Sequence, residues 1–219
     1  MTAMQLHVIE VGEFQVNCYI VEGKARQALV VDPGSDADQI LACLKDRHLT
    51  VSAYLLTHGH VDHISALAAM VDARPAPVAI HRDDLEWAFT RANQMMPFYP
   101  EPKRPQSIDR LVSDGDRLQD GGFECEVVAT PGHTPGGVCY LFPSEHAVFT
   151  GDTLFAGSIG RTDLPGGNSR LLGSSLRRLA ALAPETRVYP GHGPATTIAQ
   201  EIRSNPFLQD SSWASLANA

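Results

Sequence analysis

Positive charge is scarce in this sequence. Its 219 residues include 17 lysines and arginines against 25 aspartates and glutamates, so the formal net charge is −8. Only three of the 17 cations are lysines, namely Lys24, Lys45 and Lys103. A nucleic-acid-binding surface needs clustered cations that replace the counterions of the phosphates. We therefore expect no nucleic-acid partner.

Cysteines and long apolar runs are also few. The four cysteines lie among apolar residues and show no C-x-x-C spacing (Cys18, Cys43, Cys125 and Cys139). This pattern predicts small buried side chains in a reducing compartment rather than disulfides or metal ligands. No segment approaches the ~18 unbroken apolar residues of a membrane helix, and "MTAMQLHVIEVG" lacks the layout of a signal peptide. We expect a cytoplasmic protein with no membrane contact.

The composition that remains is typical of a globular protein, with 43% hydrophobic and 19% charged residues. Near-alternating β-branched runs that stop at glycine or proline predict strands, among them "LHVIEVG", "NCYIVEG", "QALVVDPG", "VSAYLLT", "APVAIH", "GVCYLF" and "AVFTGDT". Apolar spacing predicts helices over residues 36–47, 62–71 and 171–182. Strands that alternate with helices, twice over, indicate an α/β fold. We predict one domain over residues 1–206 and a C-terminal tail over 207–219.

The segment 85–107 begins with a helical pattern and then carries four prolines and a Met-Met-Pro-Phe-Tyr patch. Its apolar side chains fit a wall or lid over a site, since methionine adapts to irregular surfaces. They fit equally an irregular buried connection or a dimer contact. The first interpretation is the one we favour.

Five strand-like runs end in the same manner, at a glycine-bearing turn that holds an aspartate or a histidine. These runs are "VVDPG", "YLLTHGH", "VVATPGH", "VFTGDT" and "RVYPGH". Because ligand sites of open α/β sheets lie in loops beyond strand ends, the five turns are expected to converge. Seven side chains there are candidate metal ligands: His58, His60, Asp62, His63, His133, Asp152 and His192.

Seven nitrogen and oxygen ligands are too many for one ion and suit two ions that share a carboxylate and a water. Such ligands without a thiolate favour Zn²⁺ and also fit iron or manganese. Each short motif alone is a commonplace turn, so the prediction depends on their joint occurrence. The other histidines lack this context, and we interpret them as structural (His7, His48, His81 and His146).

The motifs "HGHVDH", "PGHTPG", "TGDTLF" and "YPGHGP" resemble, in this order, the signature of the metallo-β-lactamase superfamily. The resemblance spans nearly the whole chain. It implies a four-layer αββα sandwich with two metal ions at one edge of its sheets. His58, His60 and His133 would bind the first ion, Asp62, His63 and His192 the second, and Asp152 would bridge them. Asp32 corresponds to a buried supporting acid, although a structural turn explains it nearly as well.

Within the superfamily the chain is most similar to short glyoxalase II-like enzymes, through "GDTLFAGSIGRTDLPGG" and "PGHGPATTIAQEIRSNPFL". The implied reaction is hydrolysis of thioesters such as S-lactoylglutathione, or of activated esters, by a metal-bound hydroxide that Asp62 orients beside Asp152. Arg161 is a candidate substrate contact, or else the partner of Asp163. The chain ends about where the glutathione-binding helical region of longer relatives begins, which leaves the thiol carrier open.

Two other reactions stay open. Persulfide dioxygenases, which use one iron, share the implied fold and a similar "GRTD" stretch. Their sequences also retain the residues of the second metal site. Hydrolysis of β-lactams or lactones is a further alternative, disfavoured because Asp152 stands where several lactamase branches have cysteine or serine. We expect a small-molecule substrate and a monomer or homodimer.

Overall fold

The computed structural model describes residues 4–209. Over this range the strands are β1 (Gln5–Val11), β2 (Val16–Glu22), β3 (Gln27–Val31), β4 (Thr50–Leu55), β5 (Val78–His81), β6 (Arg110–Val112), β7 (Arg117–Asp120), β8 (Phe123–Ala129), β9 (Val138–Phe142), β10 (Ala147–Gly151), β11 (Leu154–Phe155), β12 (Ser158–Ile159), β13 (Arg187–Pro190) and β14 (Thr196–Thr197). The α-helices are α1 (Ala37–Asp46), α2 (Val61–Ile64), α3 (Leu67–Ala73), α4 (Arg82–Ala88), α5 (Ser169–Ala180), α6 (Ile198–Ser204) and α7 (Pro206–Gln209). Short 3₁₀ turns lie at Lys24–Arg26, Arg91–Asn93 and Pro143–Glu145.

The first sheet has the strand order β1-β2-β3-β4-β5-β6. Its first three strands are antiparallel, and β3 to β6 are parallel to one another. Parallel neighbours need a crossover, and α1 supplies it between β3 and β4. Since β3 and β4 run in the same direction, the turns after them lie at the same edge of the sheet.

The second sheet has the order β14-β13-β10-β9-β8-β7. Strand β9 is antiparallel to both β8 and β10, and β13 is parallel to β10. Three of its strands, β8, β10 and β13, therefore point the same way and end at one edge. A small hairpin of β11 and β12 follows β10.

Alternating side chains divide the apolar interior into three layers. In β2, Tyr19 and Val21 pack between the two sheets, whereas Cys18 and Ile20 pack toward α1 and α3. In the second sheet, Phe149 faces the other sheet, and Val148 packs against Leu172, Leu176 and Leu179 of α5. The strand period of two residues thus gives each sheet two buried faces. The predicted α/β class and four-layer αββα sandwich are confirmed.

The predicted helix over 62–71 is interrupted. The structure has two helices there, α2 and α3, separated at Ser65 and Ala66. The amide of Ala66 donates to the carbonyl of Pro33 at 3.1 Å instead of continuing the helix. The Asp62 carbonyl lies against Gly34, where an added Cβ would come within 1.9 Å of it. The contact between this helix and the turn after β3 therefore breaks the helix.

The predicted boundary between domain and tail falls at the start of α7, which spans Pro206–Gln209. The rest of the predicted tail, 210–219, lies outside the described residues. All four cysteines are free; Cys43 is half-buried and the other three are buried. The longest helix among residues 4–209, α5, has 12 residues, so none of the described helices has the length and apolarity to cross a bilayer.

Candidate metal centre

The turns after five strands meet at one edge of the sandwich, where the two sheets adjoin. The amide of Val138, at the start of β9, donates to the carbonyl of Thr57, just after β4, at 2.8 Å. The amide of Asn17 in β2 donates to the carbonyl of Gly191 after β13, also at 2.8 Å. These bonds join the first sheet to the second beside the candidate ligands. The seven predicted ligands lie together at this edge.

Three of them form a first triad, His58, His60 and His133. One ligand atom from each lies within 4.8 Å of the other two. The ring centroids are 4.6 to 5.0 Å apart, with His60 and His133 nearest. His58 and His133 are buried and His60 is half-buried.

Asp62, His63 and His192 form a second triad with the same spacing. Nε2 of His63 lies 3.4 Å from Nε2 of His192, and Oδ2 of Asp62 lies 3.6 Å from the latter nitrogen. Asp62 and His63 come from the first turn of α2, which begins directly after His60. The short helix α2 therefore places the second triad beside the first.

Asp152, at the end of β10, lies between the two triads. Its Oδ2 is 3.5 Å from Nε2 of His133 and 3.6 Å from Nε2 of His192, and its Oδ1 is 3.4 Å from Nε2 of His63. One carboxylate thus faces ligands of both triads. This is the position that a bridging ligand requires.

A hydrogen-bonded chain orients two of the histidines. Nδ1 of His63 donates to Oδ2 of Asp32 at 3.0 Å. Thr57 donates its amide and its hydroxyl to the same carboxylate, at 2.8 and 2.6 Å. Because the hydroxyl proton points to Asp32, the hydroxyl oxygen accepts from Nδ1 of His58 at 3.1 Å. Nδ1 of each ring is therefore engaged away from the centre and Nε2 faces it, and Asp32 acts as a buried support for the site.

Two backbone carbonyls orient two further histidines. Nδ1 of His133 donates to the carbonyl of Arg161 at 2.8 Å, and Nδ1 of His192 donates to the carbonyl of Phe14 at 2.9 Å. Since a carbonyl only accepts, the Nδ1 tautomer is fixed and Nε2 of each ring faces the centre. Four of the five rings thus present Nε2. His60 presents Nδ1, which lies 2.9 Å from Nε2 of His133.

Two buried polar atoms at the centre have no hydrogen-bond partner among the described residues. They are Nε2 of His58 and Oδ1 of Asp152. An unpartnered buried acceptor is costly, and here one belongs to the first triad and the other to the carboxylate between the triads. A divalent cation would satisfy them together, and nitrogen and carboxylate ligands suit Zn²⁺, iron or manganese. The residues present therefore fit two metal ions, one in each triad, with Asp152 between them.

Burial lowers the pKa of two histidines of the first triad. Burial, followed by the charge of His63, holds the pKa of His58 well below its usual range. Burial and the neighbouring His133 lower the pKa of His60 to about 4. Both rings are therefore neutral at physiological pH, as a metal-binding imidazole must be.

In the second triad, neighbouring carboxylates outweigh the effect of burial on the histidine pKa. Burial on its own would lower the pKa of His63, but Asp152 and Asp62 outweigh it and hold that pKa well above its ordinary value. Burial likewise opposes ionisation of Asp152, yet the charge of His63 keeps the pKa of Asp152 well below its ordinary value. Asp152 is thus an ionised carboxylate at the middle of the centre.

Gly191 makes close packing around Asp152 possible. A Cβ at this position would lie 2.3 Å from Oδ1 of Asp152 and 2.7 Å from Cε1 of His63. Real Cβ contacts are never so short, so only glycine fits between these two side chains. The "PGH" turn therefore contributes space as well as the ligand His192.

A cavity of about 200 Å³ opens over the centre. His60, Asp62, His133, Asp152 and His192 line it, together with Phe14, Met95, Arg161 and Leu164. The guanidinium of Arg161 pairs with Asp163 through two hydrogen bonds of 2.7 Å, and this pair lowers the pKa of Asp163 to about 2. Arg161 therefore borders the site while its charge is matched by Asp163, and a substrate-binding role stays a prediction.

A second cavity, of about 410 Å³, adjoins the first and is called the apolar cavity below. His60, Met95 and Leu164 line both cavities. The other lining residues are Trp87, Ala92, Asn93, Gln94, Pro135, Pro165 and Gly166. Part of the segment 85–107 thus forms a wall beside the centre, in agreement with the favoured interpretation of that segment; whether it moves as a lid stays a prediction.

Asp84 is a supporting residue that the sequence did not reveal. This buried carboxylate on α4 accepts from the amide of Gly59 at 2.8 Å, the hydroxyl of Thr134 at 2.8 Å and the amide of Gly136 at 2.6 Å. Burial raises the pKa of Asp84, although these three bonds favour its charged form. It joins the loop of His58 and His60 to the loop of His133. The one available signal is its spacing of four residues from Ala88, which places both on the buried face of α4.

The four histidines interpreted as structural lie outside both triads. His7 lies 3.0 Å from Glu22, and His81 accepts from the amide of Asp83 at the start of α4. His146 lies 3.7 Å from Glu185 on the surface. Among the described residues, the groups of three that could hold a metal contain Asp32 and every predicted ligand except Asp152, and they contain none of these histidines.

Comparisons with known proteins identify the family of the chain. A family model of the metallo-beta-lactamase superfamily matches residues 11–192. The hydroxyacylglutathione hydrolase GloC of Haemophilus influenzae is 36% identical over an alignment of 221 positions, which covers 95% of this chain and 100% of that protein. A probable metallo-hydrolase of Bacillus subtilis, YqgX, is 37% identical over 209 residues, 94% of this chain and 98% of its own.

Solved structures with the same fold include BLEG-1 B3 metallo-beta-lactamase, with a TM-score of 0.89 and 39% identity over 94% of this chain and all of that one. TTHA1623 in a di-iron-bound form has a TM-score of 0.82 and 42% identity, covering 92% of this chain and 100% of its own. ETHE1 from Myxococcus xanthus has a TM-score of 0.80 and 31% identity, covering 98% of this chain and 89% of its own. The protein described here thus belongs to the metallo-beta-lactamase superfamily.

Proposed function

We propose that this member of the superfamily is a dinuclear metal-dependent hydrolase of thioesters and related activated esters. The observation that carries the proposal is the pair of ligand triads joined by Asp152, with unpartnered acceptors on His58 and Asp152. Similarity to the hydroxyacylglutathione hydrolase of Haemophilus influenzae supports the substrate class.

The chemistry divides between the metals and the protein. Two bound divalent ions would lower the pKa of a water to near neutrality and polarise a carbonyl oxygen. His58, His60 and His133 would hold one ion, and Asp62, His63 and His192 the other, with Asp152 shared. Asp62 also lines the 200 Å³ cavity, where its carboxylate would orient the water that the metals activate.

The lining of the cavity over the centre supports a thioester. The described residues that line it include no serine, cysteine or lysine, so neither a hydroxyl or thiol nucleophile nor a lysine acid is available among them. A thiol has an ordinary pKa of about 8.5, and a thiolate therefore leaves without protonation, whereas an amide nitrogen needs a proton as it leaves. Thioesters and activated esters thus match this site better than peptides or lactams.

Elemental analysis paired with a substrate panel tests the proposal. The metal-replete protein should contain two ions per chain and hydrolyse thioesters, and Asp152→Ala should lose metal and turnover while the fold persists. Asp72→Ala, at an exposed position of α3, is the matched control. Thioester turnover no faster than that of the free metal ion would overturn the proposal.

The rival reaction, iron-dependent oxidation of a persulfide, is kept as a second candidate because of the likeness to ETHE1. The di-iron-bound form of TTHA1623 shows that a protein of this similarity holds iron. One iron per chain, together with oxygen uptake on a glutathione persulfide and no thioester turnover, would favour the rival. β-Lactams belong in the same panel because of the likeness to BLEG-1.

A further inference from the structure

Among residues 4–209, no lysine, arginine, aspartate or glutamate lines the apolar cavity beside the candidate metal centre. Its polar members are His60, Asn93 and Gln94. His60 belongs to the first triad, and its Nδ1 lies 2.9 Å from Nε2 of His133. The side chain of Asn93 is occupied within the protein, donating to the carbonyls of Gly59 and Ala88 at 2.7 and 2.6 Å and accepting from the amide of Val61 at 3.1 Å. The cavity therefore offers mainly carbon surface.

Its size suits a ligand group much larger than a lactoyl group. About 410 Å³ falls within the usual ~300–1,000 Å³ of small-molecule sites. The indole of Trp87 lies with its centroid 5.4 Å from that of His60, so it forms a wall directly beside the first triad. Met95 and Leu164 continue from this cavity into the one over the centre. A substrate group bound in the apolar cavity would thus lie next to a scissile carbonyl placed over the candidate metal centre.

The described lining of the two cavities provides few cationic side chains for a negatively charged thiol carrier. Glutathione carries two carboxylates, and binding sites for carboxylates commonly use arginine or lysine. Within the part of the chain that the structure describes, Arg161 is the one lysine or arginine that lines either cavity, and both hydrogen bonds of its guanidinium go to Asp163. An uncharged group matches this lining better than a peptide carboxylate does.

We propose that the apolar cavity binds an uncharged hydrocarbon or aromatic group of the substrate, so that the preferred thioesters carry such a group near the scissile bond. This inference rests on the proposed hydrolase activity. The group has two possible sources, the acyl chain or the thiol, and both place the same chemistry in the cavity.

Two substrate series distinguish the sources. In the first, N-acetylcysteamine thioesters carry acyl chains from acetyl to octanoyl; in the second, acetyl thioesters carry alkyl thiols of rising length. We expect kcat/KM of the metal-replete protein to rise about threefold to fourfold per methylene in one series while the cavity fills, as burial of a methylene predicts. A flat profile in both series would overturn the inference.

A variant that fills the cavity links the effect to this place. Ala92 lines the apolar cavity but not the cavity over the metals. Ala92→Phe should flatten the dependence of kcat/KM on chain length. Ala73→Phe, at the exposed end of α3, is the matched control and should retain it. Equal slopes in the two variants would place the chain-length effect elsewhere and contradict the inference.

Binding of thioethers separates this inference from the proposed function. S-octyl-N-acetylcysteamine cannot be hydrolysed, and calorimetry with the metal-replete protein should give a Kd at least tenfold lower than that of the S-methyl analogue. Such binding without any thioester turnover would overturn the hydrolase proposal and leave the cavity assignment intact. Thioester turnover with equal binding of the two thioethers would overturn the cavity assignment and leave the hydrolase proposal intact.

Discussion

Single hydrogen bonds decide which atom each candidate ligand presents. The carbonyls of Phe14 and Arg161 and the chain from His58 through Thr57 to Asp32 use the Nδ1 protons of the rings. Nε2 is then left as the acceptor that faces the centre. The protein thus sets the ligand atoms before any ion arrives, and this preorganisation lowers the cost of binding.

Substitution of Gly191 tests the close packing around Asp152. Because a Cβ there would lie 2.3 Å from Oδ1 of Asp152, Gly191→Ala must displace the shared carboxylate. We expect fewer than two ions per chain and a loss of kcat/KM of about 100-fold, the order of effect that a 1 Å misplacement has. Elemental analysis and steady-state kinetics measure both.

Gly193→Ala is the matched control in the same turn. Its φ is +72°, and an added Cβ would meet no atom of residues 4–209 within 4 Å. The left-handed backbone should cost about 1 kcal/mol of unfolding free energy, with the metal content unchanged. If both variants kept two ions, the packing argument around Asp152 would be wrong.

The candidate ligands could be recognised from the sequence because the signal is local. His58, His60, Asp62 and His63 follow one another, and each of the remaining ligands closes a strand at a glycine-bearing turn. Asp84 could not be recognised in this way. In "HRDDLEW" it stands beside Asp83, and only packing reveals that Asp84 is buried while the side chain of Asp83 is 56% exposed.

At the scale of elements, α4 connects two loops that belong to different sheets. Asp84 on this helix holds the loop after β4 through Gly59 and the loop after β8 through Thr134 and Gly136. The first triad takes two ligands from one of these loops and one from the other. The helix therefore positions the triad although it contributes no candidate ligand.

Asp84→Asn tests this role, since an amide cannot accept all three hydrogen bonds. We expect a free energy of unfolding about 1–3 kcal/mol lower, as for an unsatisfied buried donor, together with weaker metal binding in competition with a chelator. Asp83→Asn, on the exposed face of the same helix, should change stability by less than about 0.5 kcal/mol. Identical metal affinity of the two variants would exclude the positioning role.

Helices were predicted correctly where the periodicity of apolar side chains is strong. The prediction failed where a hydrogen bond between distant residues ends a helix. The helix predicted over 36–47 is α1, Ala37–Asp46, and the one over 171–182 is α5, Ser169–Ala180. The break between α2 and α3 depends on the amide of Ala66, which bonds a carbonyl 33 residues away in the sequence. Short edge strands such as β6 and β14 have too few residues for an alternating pattern.

At the scale of the whole molecule, the centre lies where the two sheets meet and takes ligands from both. His58 to His63 follow β4 of the first sheet, and His133, Asp152 and His192 follow strands of the second. Bound ions would therefore link the halves of the sandwich, while the three apolar layers lie outside the centre. Oligomeric state and cellular location stay predictions.

Removal of the metals should consequently lower thermal stability without loss of secondary structure. A ligand at about 100 times its Kd stabilises by about 2.7 kcal/mol, which for a chain of this size corresponds to a Tm lower by roughly 5–10 °C per emptied site. Calorimetry and circular dichroism of chelator-treated protein, before and after Zn²⁺ is restored, measure this. An unchanged Tm at reduced metal content would show that the centre does not couple the sheets.

The bond between Nδ1 of His192 and the carbonyl of Phe14 joins residues 178 positions apart. During synthesis on the ribosome, the nascent chain would carry six of the seven ligands for some time before the last one emerges. The first triad, complete at His133, would be available earlier than the second, which waits for His192. Metal loading in the cell is therefore expected to be ordered, with the ion of the first triad acquired first and the ion of the second triad only after His192 has been made.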